Sequence, residues 1–284
     1  MIKKKNRNTN KENIDYPVIE MPLKLDFESL RNYSNYNELV EYLKDIKGDF
    51  GKAIIKLDIN RPVAITSSDY KLVKHKDMVE NIEKVLKNNG LKIELFDINF
   101  GGKYGNRVYL NYILPDYKFK VNNDTIIPFI QAYSCYDKFL SVGLLTGIYR
   151  EESEGVVIFK KKGQLPKRKH FRKSVNFKDD MIRIGKWISD LGSLRRYLIK
   201  LTTEPLEGID SDYVVQQLIE KKMHQERFYY SKVLQKYINE FKETEYSLLF
   251  AISDYITHKY MDNKKRSYDR SRNAQINLSN LFFE

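Results

Sequence analysis

Leu91-Lys92-Ile93-Glu94-Leu95, then Gly101-Gly102-Lys103-Tyr104-Gly105, then Val108-Tyr109-Leu110-Asn111-Tyr112 is the stretch from which the architecture can be read. Apolar and polar residues alternate, a glycine-rich turn follows, and the alternation resumes, which is the pattern of a β-hairpin. Ile126 to Tyr133, Phe139 to Tyr149 and Val156 to Phe159 supply three further β-rich runs. The links between them are too short for parallel crossovers. Residues 91–160 therefore predict a five-stranded antiparallel meander.

On the N-terminal side, Ala53 to Leu57 and Val63 to Thr66 read as short strands around an Asn60-Arg61-Pro62 turn. Asp77 is placed to cap a helix carrying Met78, Ile82, Val85 and Leu86, closed by Asn89-Gly90. Leu39, Val40, Leu43 and Ile46 predict a shorter helix over Tyr36 to Ile46. Residues 1–25 read as a flexible basic arm: Lys3, Lys4, Lys5, Arg7 and Lys11 oppose only Glu12 before Asp15, and Pro17 and Pro22 discourage regular structure.

Past Lys160 the period changes from two to 3.6. Met181 to Leu201 predicts one amphipathic helix, and apolar series beginning at Val214 and Val233 predict more helix. Thr244 opens a last helix over Tyr246 to Tyr260, and the residues beyond it read as a basic tail. The expected organisation is α+β: an arm (1–25), an antiparallel sheet flanked by helices (26–160), a basic loop (161–178) and a helical region with a basic tail (179–284).

The 284 residues carry 50 Lys and Arg against 38 Asp and Glu, a formal charge of +12. Such a surplus predicts a polyanionic partner, nucleic acid first. Cys135 is the sole cysteine, which excludes an intramolecular disulfide and a thiolate zinc cluster and fits a reducing cytoplasm. The longest apolar run, Phe139 to Tyr149, is too short to span a bilayer, so no membrane partner is expected.

A search for chemistry yields little. His75, His170, His224 and His258 lack the spacing of a helical metal site, and no phosphate-binding loop is present. Asp97, Asp116, Asp124 and Asp137 are the only carboxylates near the meander that a metal-dependent nuclease could use. No catalytic residue, metal or cofactor is assigned.

The positive signal is electrostatic. Lys160, Lys161, Lys162, Lys167, Arg168, Lys169, Arg172 and Lys173 form a run without an acid, with Phe171 inside it. Lys264, Lys265, Arg266, Arg270 and Arg272 form a second run with Tyr268 interleaved, and the N-terminal arm is a third. These residues are the candidate phosphate contacts. Tyr104, Tyr109, Tyr112, Tyr117 and Phe119 along one hairpin could add a stacking face for bases, or could be core.

Arg107-Val108-Tyr109-Leu110-Asn111, Leu114-Pro115, Ile127-Pro128-Phe129-Ile130 and Ser134-Cys135-Tyr136-Asp137-Lys138 together resemble a family of phage and plasmid proteins. It is catalogued as domain of unknown function 932 and is also called LtrC-like. The family's Asn-Ser-x-Asp-Gly-type turn reads Tyr133-Ser134-Cys135-Tyr136-Asp137-Lys138 here, without its Asn and Gly. Phe250 to His258 and Leu281-Phe282-Phe283 look like the family's closing helix and tail. The resemblance implies a mobile-element protein acting in a bacterial host cell. By fold-level analogy it extends to the single-strand annealing proteins of phage recombination. These hold one DNA strand by its phosphates, often on a homo-oligomeric ring. The expected function is non-enzymatic binding or annealing of single-stranded DNA. The alternative is a phage structural or host-interaction protein whose basic surface meets packaged genome or an acidic partner.

Overall fold

The computed structural model describes residues 11–15, 18–22, 51–66, 72–102, 104–136, 142–159, 178–204, 244–259 and 268–283. Its centre is an antiparallel sheet of β4 (Glu94–Gly101), β5 (Arg107–Ile113), β6 (Phe119–Val121), β7 (Asp124–Cys135), β8 (Gly143–Arg150) and β9 (Val156–Phe159). The order β4-β5-β7-β8-β9 is the meander that the alternation predicts, and β6 is an addition paired with β7. A smaller antiparallel sheet holds β1 (Val18–Pro22), β2 (Lys52–Lys56) and β3 (Arg61–Thr66). Helices are α1 (His75–Asn88), α2 (Lys178–Ser189), α3 (Leu191–Leu201), α4 (Glu245–Asp254) and α5 (Tyr268–Phe283). The class is α+β.

β5 and β6 behave as one strand interrupted by a 3₁₀ turn at Pro115–Tyr117, both pairing with β7. The interruption suits Pro128 in the middle of β7. Its carbonyl accepts from Leu114 N–H at 2.8 Å, so its donorless nitrogen faces the gap between β5 and β6, where no ladder bond is lost. Asn122, at φ 53°, closes the β6–β7 turn, a conformation Asn tolerates better than most residues.

The period-2 pattern sorts the side chains. On one face Ile98, Val108, Leu110, Ile130 and Ala132 pack under Met78, Ile82 and Leu86 of α1 and Ile184 of α2. On the other, Tyr109, Phe129, Tyr133 and Leu145 meet Tyr268 and Ile276 of α5. Toward β9, Ile126, Ile148 and Val157 pack with Leu198 of α3, Leu249 and Phe250 of α4, and Leu278 of α5. Helices thus cover both faces of the central sheet.

Gly147 in β8 shows how close these layers are. An added Cβ would lie 2.3 Å from Phe129 Cζ and 2.6 Å from the Val157 carbonyl oxygen. That oxygen belongs to the neighbouring strand and cannot swing aside. Gly147→Ala is expected to lower stability by about 1–3 kcal/mol, read as a drop in the urea midpoint at unchanged m-value. An unchanged midpoint would mean that the ladder yields there without cost.

Several expectations need correction. The arm is not wholly unstructured: Lys11–Ile14 forms a 3₁₀ turn with Ile14 buried, and Val18–Pro22 pairs with β2 from Val18↔Lys56 to Pro22↔Lys52. Pro22 is tolerated because β1 is an edge strand at its end. Helix α1 begins at His75, and Asp77 lies in its first turn with Lys74 at the cap. The single helix over Met181 to Leu201 is two, separated at Asp190, because Ile184 packs beneath the sheet's first face while Leu198 and Leu201 join the cluster around α4. Thr244 does cap α4, accepting from Ser247 N–H at 3.3 Å, but the helix ends at Asp254 and continues as a π-helical turn over Tyr255–Lys259. The final residues are not a tail. They form α5, in which Ala274, Gln275, Leu278 and Phe282 are buried. The helix expected over Tyr36 to Ile46 and those over residues 210–241 lie outside the described residues.

Candidate functional site

The most polar interior of the protein lies between the second face of the central sheet and α5. It begins with an irregularity in β4: the register shifts between Leu95 and Asp97, and a bulge of this kind re-aims the residues beyond it. Asp97 then pairs with Asn111 of β5, and Asn111 with Gln131 of β7, so three polar residues cross three strands in one row. Gln131 Nε2 donates to Asn111 Oδ1 at 2.9 Å and lies 3.0 Å from the Tyr268 hydroxyl, while Gln131 Oε1 accepts from Arg272 Nε at 2.6 Å. Burial pushes the Tyr268 phenol up to about 12, against the pull of hydrogen bonds from Asn111 and Gln131.

Arg272 is 4% exposed and sits over the rings of Tyr109 and Tyr133, at 5.1 and 4.9 Å from their centroids. Next to it Asp269, in the first turn of α5, accepts from Gly102 N–H at 2.8 Å, from Arg107 Nη1 at 3.1 Å and from the Tyr109 hydroxyl. Burial raises the Tyr109 phenol well above its usual range, so it remains a neutral donor. This network ties the start of α5 to the β4–β5 hairpin.

Beside the network is a cleft with about 40 Å³ of interior space, lined by β4, β5, the β8–β9 turn, the π-helical turn and α5. Asp97 and Glu154 bring carboxylates to it, and Asn99, Asn111 and Gln275 bring amides. Glu154 has φ 60° in a tight turn and is 8% exposed. The adjoining Gly155 cannot carry a Cβ, which would fall 2.1 Å from Asp254 Oδ1. His258 Nε2 lies 2.7 Å from the Ser153 carbonyl, and Ser153 Oγ donates to Asp254 Oδ1 at 2.6 Å. The serine hydroxyl thus meets a carboxylate while the imidazole meets a backbone oxygen, which is not a nucleophile–base arrangement.

Of the candidate phosphate contacts, Lys160, Lys161, Lys162, Lys167, Arg168, Lys169, Phe171, Arg172 and Lys173 lie outside the described residues, as do Lys264, Lys265 and Arg266. Arg270 is exposed on the first turns of α5. Arg272 is a correction: its guanidinium is committed to Gln131 and two tyrosine rings inside the protein, because α5 turns position 272 toward the sheet. The stacking face is corrected too. Tyr109 and Tyr112 are 0% and 1% exposed, so these aromatics are core. Tyr112 donates to Glu83 Oε1 at 2.9 Å, and the Tyr104 hydroxyl accepts from Arg61 Nη1 at 3.2 Å.

The carboxylates considered for a nuclease have separate partners. Asp97 Oδ2 accepts from Asn99, Asp116 faces Lys92, and Asp124 meets Arg150 and the Tyr246 hydroxyl, while Asp137 lies outside the described residues. Among the described residues no group of three or more His, Cys, Asp or Glu could hold a metal ion. Cys135 is buried. No helix among the described residues is long and apolar enough to cross a membrane.

Sequence reasoning missed a basic face that the structure assembles from two elements. Arg195, Arg196 and Lys200 are exposed on α3, and Arg195 Nε donates to the carbonyl of Lys120 in β6 at 3.2 Å, with Lys118 exposed just before it. Glu204 answers only Lys200, at 3.1 Å. The i, i+1 and i+5 spacing of these cations was visible, but their closeness to β6 was not.

No family model matches the chain, and neither a curated protein nor a solved structure matches it.

Proposed function

We propose that the protein binds nucleic acid through its phosphates, single-stranded DNA in preference, and performs no chemistry on it. The observation that carries this reading is the run of eight Lys and Arg without an acid between Lys160 and Lys173, in a chain of net charge +12. Cations so spaced gain affinity by releasing condensed counterions, whatever the base sequence. Arg195, Arg196, Lys118 and Lys120 add a second cationic surface. The preference for one strand, and a role in annealing for a phage or plasmid inside its bacterial host, rest on the family resemblance.

A second reading, a phage structural or host-interaction protein, draws on a different observation. Ile182 is 64% exposed on α2, and Ile199 and Tyr197 are exposed beside the cations of α3. Such a mixed apolar and basic face suits a protein partner as well as a strand.

A labelled single-stranded oligonucleotide titrated at several salt concentrations decides between them. Binding is expected, with log affinity falling linearly against log salt by roughly 0.7 for each phosphate contacted. Absence of binding at low salt would remove nucleic acid as the partner and leave the second reading.

A further inference from the structure

The cleft beside the buried network is short of donors. Thr257 Oγ1 gives its proton to the Ser253 carbonyl at 2.8 Å, and Ser271 Oγ gives its own to the Ile256 carbonyl at 3.3 Å. Asn99 Nδ2 is spent on Asp97 Oδ2 at 2.8 Å, and Gln275 Nε2 on Thr257 Oγ1 at 3.3 Å. What the walls retain is acceptor capacity. Gln275 is 2% exposed, and its Oε1 has no hydrogen-bond partner although burial makes an unmet acceptor costly. Two carboxylates, Asp97 and Glu154, stand in the same lining, and neither Lys nor Arg does. Phe96 and Tyr268 add aromatic rings, whose faces attract cations.

Acceptors, negative charge and aromatic walls call for a small cation rich in donors. The interior of about 40 Å³ admits roughly three water-sized groups, which is the size of an ammonium head with one or two carbons. A primary ammonium carries three N–H donors and full charge, matching two carboxylates and one amide oxygen. A metal ion is the poorer match, since the cleft supplies only two carboxylates and no group among the described residues has the ligands to hold one.

We propose that this cleft is a binding site for a small primary alkylammonium ligand, with Asp97 and Glu154 meeting its charge and Gln275 Oε1 accepting one of its protons. The assignment does not rest on the nucleic-acid reading, because a phosphate would be repelled here. Glu154 keeps its strained backbone where its carboxylate faces the ligand, which is the kind of place where a fold tolerates such a conformation.

Ethylammonium chloride titrated calorimetrically into the full chain tests it, with tetramethylammonium chloride at equal ionic strength as the donorless control. Saturable binding of ethylammonium and none of tetramethylammonium is expected. Glu154→Gln and Asp97→Asn should each weaken binding by roughly tenfold or more, with circular dichroism unchanged. If either fails to fold, Gln275→Glu carries the test, since a third carboxylate should tighten binding by about tenfold. Equal response to the two cations, no saturable heat, or an affinity that Glu154→Gln or Gln275→Glu leaves unchanged overturns the proposal. Saturable binding of Mg²⁺ without binding of ethylammonium overturns it in favour of a metal.

Discussion

Replacing Asp269 by Ala is expected to cost the fold about 3–5 kcal/mol, because its carboxylate is the common acceptor of three groups. Gly102 N–H, Arg107 Nη1 and the Tyr109 hydroxyl all converge on it, and the Arg107 and Asp269 side chains are only 14% and 10% exposed. Alanine leaves a cation and two donors facing an apolar gap, where desolvation is not repaid. It also removes the negative charge from the first turn of α5, where it complements the helix dipole. For a chain of this size the loss corresponds to a Tm lower by roughly 10 °C. Asp116→Ala is the control. Its ion pair with Lys92 spans 3.5 Å between side chains 58% and 61% exposed, and its removal should change stability by less than about 1 kcal/mol. Equal effects of the two substitutions in thermal denaturation would show that the contacts around Asp269 are not what holds α5 to the hairpin.

Neutralising Lys167, Arg168 and Lys169 together is expected to give the largest loss of oligonucleotide binding. The three lie in the densest uncompensated positive run of the chain. If each meets one phosphate, the slope of log affinity against log salt should flatten by roughly 2 for a single strand, with all base sequences weakened alike. Stability should barely change, since exposed charges contribute little to folding. Phe171→Ala asks separately whether a base stacks there, with about 1–3 kcal/mol of binding lost if it does. A triple variant that binds as tightly as the parent, with the same salt slope, would move the phosphate contacts elsewhere, and the basic face on α3 and β6 would be the next to mutate.

The two substitutions differ in how far their rationale could be read from the chain. The run around Arg168 is local, and anyone counting charges finds it. The role of Asp269 is invisible there, since its partners Gly102 and Tyr109 stand 167 and 160 positions away. Arg272 makes the same point. In the sequence it belongs to a basic cluster ending in a tail, but the helical periodicity of α5 turns it inward, onto Gln131, 141 positions away.

Alternation and turn residues by themselves determined the meander, its antiparallel sense and the α1 core stripe, because a two-residue period and a 3.6-residue period sort side chains by face without reference to the rest of the chain. Composition by itself determined the +12 charge. The tertiary structure alone decided that Val18–Pro22 becomes a strand, that Tyr109 and Tyr112 are core, and that Asp97, Glu154 and Gln275 line one cleft. The physical reason is that pairing and polar burial are long-range: each depends on which distant groups supply the missing hydrogen bonds, and local pattern carries no record of them.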